Sequence, residues 1–142
     1  MLQALKPTEA DLQRLVYFDY LCLHTGDAGG PPSLHPALPQ RSGEWLVRRV
    51  MLSRGVDLLF AKELLEKQAG TSGITYRATE LTEAFLGHLS SSYAKELLER
   101  ANWVALKFGR YEDEELASYM RAHVREWGAE FARESLFVTV RL

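Results

Sequence analysis

Val56-Asp57-Leu58-Leu59-Phe60-Ala61-Lys62-Glu63, then Leu64-Leu65-Glu66-Lys67-Gln68, Ala69-Gly70-Thr71-Ser72-Gly73 and Ile74-Thr75-Tyr76-Arg77-Ala78, follow one another without interruption. The change of period along this stretch decides the fold. Its first segment suits a short helix. The second and fourth are short enough, and the fourth β-branched enough, to be strands. The segment between them carries glycine where a hairpin needs positive φ. Downstream, Thr79 is placed to cap a helix over about 80–89. Upstream, Ser42 is placed to cap one over about 43–54, and Gly55 supplies a turn between the two helices. Helix, glycine turn, helix, hairpin, helix is the order of a winged helix-turn-helix. The predicted class is therefore mostly α with a small β-wing, a winged helix-turn-helix followed by C-terminal helices.

The rest of the chain fits one domain over 1–142. A winged-helix core spans about 8–89 and includes a Pro-rich loop at 24–40. A helical pair covers about 93–131, and a strand is expected at 136–142 from the alternation in Leu136-Phe137-Val138-Thr139-Val140-Arg141-Leu142. That strand suits a third place in the wing or a partner's sheet edge. The first helix, over about 9–23 behind Thr8, carries Leu12, Val16, Tyr20 and Leu23 on one stripe and Tyr17, Phe18 and Leu21 on other sides. A helix apolar all round is buried all round. Either the chain's own C-terminal helices or another protein covers it. Asp19 lies within the apolar surface and needs a hydrogen-bond or cationic partner.

In the helix over 43–54, Leu46, Val47, Val50 and Met51 are expected in the core. Trp45, Arg48 and Arg49 project oppositely. In the helix over 93–108, Leu97, Ala101, Val104 and Phe108 make the core stripe, and Trp103 and Leu106 stand on the far side. Apolar groups there belong to an internal contact with the back of the first helix or to a partner surface. The partner-binding candidates are therefore Tyr17, Phe18, Leu21, Trp45, Trp103 and Leu106. Arg41, Arg48, Arg49 and Arg54 are candidates for contact with phosphate or with an acidic protein face.

Composition bounds function from outside. Of 142 residues, 46% are apolar and 25% charged, enough for a core. The 17 basic residues against 19 acidic ones argue against a general polyanion binder. The single Cys22 excludes a disulfide framework and a cysteine zinc site; within its apolar helix it reads as an inert thiol. Apolar runs fall short of a membrane span, and the N-terminus lacks the layout of a secretory signal, so the expected location is the cytoplasm with no membrane partner. No phosphate loop, H-E-x-x-H or G-x-S-x-G is present, so no catalytic residue, metal or cofactor is assigned. His24, Asp27 and His35 lie in the loop without a spacing that defines a ligand set. His123 reads as a satisfied core residue. The acids at 112–115 read as a helix start.

The would-be recognition helix at 56–63 holds one lysine, two acids and five apolar residues. Base-edge readout needs donors and acceptors that this helix lacks, so DNA binding is expected to be indirect or weak.

Three segments carry a resemblance: His24-Thr25-Gly26-Asp27-Ala28-Gly29-Gly30-Pro31-Pro32-Ser33-Leu34-His35-Pro36, Arg41-Ser42-Gly43-Glu44, and Gly73-Ile74-Thr75-Tyr76-Arg77-Ala78-Thr79-Glu80-Leu81-Thr82. In this order, over roughly 11–131, the chain resembles the middle-component family of bacterial ABC three-component systems, a group related to Lamassu-type anti-phage defence. The resemblance transfers no catalytic motif. It implies a non-catalytic adaptor linking an SMC/Rad50-like ABC ATPase to an effector such as a nuclease. The alternatives are a winged-helix DNA-binding transcription regulator, disfavoured by the helix at 56–63, and a metal-dependent hydrolase using the Pro-rich loop, disfavoured by its lack of a spaced ligand set.

Overall fold

The computed structural model describes residues 1–36 and 41–127, apart from the side chains of 41–46 and 124–127. After a short α1 (Leu2–Leu5), the chain enters β1 (Ala10–Asp11) and then α2 (Leu12–Leu23). The cap of α2 is Asp11, whose carboxylate accepts from the Arg14 N–H at 2.8 Å. Thr8 was the expected cap. The helix starts later because Ala10 and Asp11 are drawn into a sheet, opposite Tyr76 and Thr75.

The expected break at Gly55 does not occur. A single helix, α3 (Arg41–Ala61), runs through it for 21 residues. A glycine inside a helix costs about 1 kcal/mol, less than two new uncapped ends. The helix stops instead at Glu63, which takes φ 61. There the Leu64 N–H donates to Leu59 O at 2.9 Å and the Glu63 N–H to Phe60 O at 3.0 Å, the paired bonds of a Schellman end. The Thr79 hydroxyl donates to Glu63 O at 2.8 Å, and that of Thr82 to Leu64 O at 2.7 Å, holding the reversal in place. The two-helix part of the helix-turn-helix expectation is corrected accordingly.

The hairpin forms as expected, but its strands take in Ala69, Gly70 and Gly73, which the sequence assigns to the connection. β2 (Leu65–Gly70) and β3 (Gly73–Ala78) pair antiparallel from Leu65↔Ala78 to Gly70↔Gly73. The connection is Thr71-Ser72, and Gly73 takes φ 120, which a side chain would disfavour. The sheet order is β1-β3-β2, so the third strand is Ala10–Asp11. The tail at 136–142 lies outside the described residues. α4 (Leu81–Gly87), α5 (Ser92–Phe108) and α6 (Asp113–Trp127) complete the chain, and Ser91 caps α5 by accepting from the Ala94 N–H at 3.1 Å.

α2 is the centre of the core. Phe18 and Leu21 have no exposed surface, and neither have Val104, Phe108, Leu116 and Met120 on α5 and α6. Of the two covers open for the first helix, the internal one is seen, with α5, α6 and α3 all packing on α2. Phe108 anchors the aromatic part of this core, its ring 4.9 Å from Tyr119, 5.2 Å from Tyr111 and 6.2 Å from Trp103.

α3 docks with the opposite face from the one expected. Val56 is buried, with Leu52 and Leu59 half-buried on the same side. Val47, Val50, Met51 and Leu58 are instead 44–58% exposed. The reason is electrostatic. Asp19 lies in the apolar surface of α2, and the inward face of α3 brings Arg48 to it. Nε donates at 2.9 Å and a terminal guanidinium nitrogen at 2.5 Å. Arg49 donates to Gln13 Oε1 at 2.8 Å beside it. Asp19 thus has the cationic partner that its position required.

Candidate interaction surface

Over its described part, 24–36, the loop after α2 is built, not slack. Thr25–Ala28 forms a 3-10 turn, which Gly29 closes in the left-handed region at φ 75. Thr25 is fully buried, and its hydroxyl donates to Pro31 O at 2.8 Å. The Gly26 N–H donates to Ser33 Oγ at 3.0 Å. The N–H groups of Leu34 and His35 both reach Leu23 O, at 3.0 and 3.1 Å, tying this part of the loop back to its start. Prolines carry acceptors without donors, so their carbonyls need partners from elsewhere.

α5 provides them. Arg100 donates twice to Pro32 O, at 3.2 and 3.0 Å, and Lys107 Nζ donates to Ala28 O at 2.5 Å. Between them the Trp103 ring covers Gly30: a Cβ built there would lie 2.5–2.8 Å from three ring atoms. Lys107 also stands 5.1 Å over the same ring. Positions 100, 103 and 107 share one face of a helix. The flank of α5 beside its core stripe, where Trp103 also meets Phe108, is therefore the seat of the Pro-rich loop. The sequence singled out Trp103 but put it on the far side of the helix, and it missed Arg100, Lys107 and Thr25. The spacing of a tryptophan with two cations on one face, opposite a proline pair lacking donors, was the available signal.

Gly30→Ala is accordingly expected to cost about 1–3 kcal/mol, the usual range for overpacking a fitted contact. The same substitution in a Trp103→Ala background should cost under about 0.5 kcal/mol, because the ring that it strikes is gone. Urea denaturation of the four variants checks this, and equal costs in both backgrounds would refute the contact.

The other candidates are dispersed. Phe18 and Leu21 are withdrawn from the partner-binding set, since the chain's own core encloses them. Tyr17 is half-buried on the core's edge. Burial pushes its phenol above the ordinary value, against a hydrogen bond with Gln13 and the nearby charges of Arg121 and Arg49. Leu106 is 87% exposed. Arg48 and Arg49 are engaged with α2, which corrects their reading as phosphate contacts. Arg54 is exposed. The side chains of Trp45 and Arg41 lie outside those described.

The titratable groups of the loop are not gathered into a metal site. Among the described residues no three His, Cys, Asp or Glu side chains form such a group. Asp27 accepts from the Tyr20 hydroxyl at 3.0 Å, and His35 bonds to the Tyr93 hydroxyl at 2.9 Å. His123 Nδ1 lies 2.9 Å from Tyr119 O with its ring stacked on Tyr119. Burial pushes the Cys22 thiol up to about 12, which removes its nucleophilic form at neutral pH. Among the described residues no helix is long and apolar enough to cross a membrane.

What the surface offers is apolar area. Besides the outward stripe of α3, Leu81, Phe85 and Leu89 are 40–53% exposed around α4. The family model described as ABC-three component (ABC-3C) system Middle Component 2 matches residues 1–130. Neither the curated proteins nor the solved structures give a match.

Proposed function

The chain belongs to the ABC-three component system Middle Component 2 family, and from that premise we propose that it is a non-catalytic adaptor. It joins an SMC-like ABC ATPase to an effector, such as a nuclease, in a cytoplasmic anti-phage defence complex. A middle component of such a system has protein partners. The observation that carries the adaptor reading is the outward face of α3, where Val47, Val50, Met51 and Leu58 stand 44–58% exposed. Contiguous apolar surface of this kind marks contact with another macromolecule. The alternative is a winged-helix transcription regulator. The α3–β2–β3–α4 order keeps the hairpin and its flanking helices, yet α3 lacks a turn at Gly55 and commits Arg48 and Arg49 to α2.

The test is co-expression of the tagged chain with the proteins encoded beside it, with a duplex-DNA titration in parallel. Stoichiometric recovery of an ATPase subunit is expected, with weak DNA binding indifferent to sequence. Failure to recover any neighbour, together with tight discriminating DNA binding on the order of 10 nM, would replace the adaptor with the regulator.

A further inference from the structure

We infer that the outward stripe of α3 is a docking seam for an amphipathic helix of another subunit, one that places an Asp or Glu opposite Arg54. The inference rests on the adaptor reading and names the chemistry of the partner. Val47, Met51, Arg54, Leu58 and Ala61 follow one another at alternating spacings of four and three residues. That is the repeat with which one helix meets another along a supercoiled seam. At about 1.5 Å per residue, the 21 residues of α3 present a rod about 30 Å long. Val47, Met51 and Leu58 are each more than half exposed, so nothing among the described residues covers them.

Arg54 decides the occupant. Among the described side chains of this repeat it is the only charge, seven residues from both Val47 and Ala61; Glu44, one step further along, lies outside the described side chains. It is exposed and has no carboxylate partner among the described residues. A second copy of the chain is a poor fit. In a parallel in-register pair Arg54 meets Arg54, and in an antiparallel pair centred on the seam it meets itself again. Asp57, the nearest carboxylate on the helix, is held by Lys67 at 3.2 Å. Like charges brought together in an apolar seam are costly, whereas a carboxylate at that level turns the same burial into a charge-assisted hydrogen bond. Single polar positions of this kind set register and partner choice in helical seams.

The test uses the full chain co-expressed with the proteins encoded beside it. Met51→Asp and Leu58→Asp are solvent-facing changes and are expected to leave the melting temperature of the isolated chain within a few degrees. Recovery of the partner should fall at least tenfold. Arg54→Glu should lower it similarly, Arg54→Lys should not, and a Glu→Lys or Asp→Lys change in the partner's facing helix should restore binding to Arg54→Glu. Undiminished recovery with Met51→Asp would overturn the seam while leaving the adaptor reading intact. Recovery of no partner by the wild type would remove both. A marked destabilisation of the isolated chain by Met51→Asp, abolished by deleting 128–142, would assign the seam to the chain's own tail and overturn the inference. So would a dimer of the isolated chain, seen by sedimentation and lost in Met51→Asp.

Discussion

Phe108→Ala is expected to cost about 3–5 kcal/mol of folding free energy, the range for deleting a large aromatic from a core. The ring has no exposed surface, and Tyr111, Tyr119 and Trp103 all meet it edge-on or tilted. It sits in the last turn of α5 and packs on Tyr111 and on Tyr119 of α6, so its loss opens a cavity between elements. Urea denaturation should show the midpoint falling with an unchanged slope. Leu106→Ala, two residues away and 87% exposed, is the matched control and should change stability by under about 0.5 kcal/mol. Similar losses for the two variants would mean that α5 does not face the core as described.

Asp19→Ala and Arg48→Ala are each expected to cost about 2–3 kcal/mol. The pair joins α2 to α3 with two short bonds, and the side chains are only 18% and 28% exposed. Removing one partner leaves the other charge poorly solvated, which is the larger part of the loss. The double variant should therefore cost at least about 1 kcal/mol less than the sum of the singles. Simple additivity would refute the pairing. Because this bond selects which face of α3 turns inward, either single variant should also make the Val47–Leu58 face less well defined. The partner recovery assay for the α3 seam then reports a loss that Arg48→Lys only partly repairs, since a lysine cannot make both bonds.

The local elements were legible without coordinates. Two short segments around Ala69-Gly70-Thr71-Ser72-Gly73 could pair only as a hairpin, and they do, with Gly73 at φ 120. The helical repeat over 93–108 marks α5, and the acids at 113–115 mark the start of α6. An all-round apolar α2 had to be buried, and Asp19 within it had to find a partner. The long Gly- and Pro-rich segment after α2 excluded a helix there. Each of these follows from short-range geometry or from the cost of burying a polar group.

Tertiary structure decided the rest. α3 has apolar residues on both sides, Val47, Val50 and Met51 on one and Leu52, Val56 and Leu59 on the other, so its periodicity cannot choose the inward face. The choice was made by Asp19, more than twenty residues away, through Arg48. Glu63 ends α3 in place of Gly55 because Thr79 and Thr82, brought back by the hairpin, hold the carbonyls of its reversal. Ala10 and Asp11 become a strand because an edge of β3 lies beside them. One flank of α5 carries the Pro-rich loop because Arg100 and Lys107 reach carbonyls some seventy to eighty residues earlier in the chain. A sequence window shows which groups need partners. Which partner meets each need depends on distances between elements far apart in the chain, and those are set only when the elements pack.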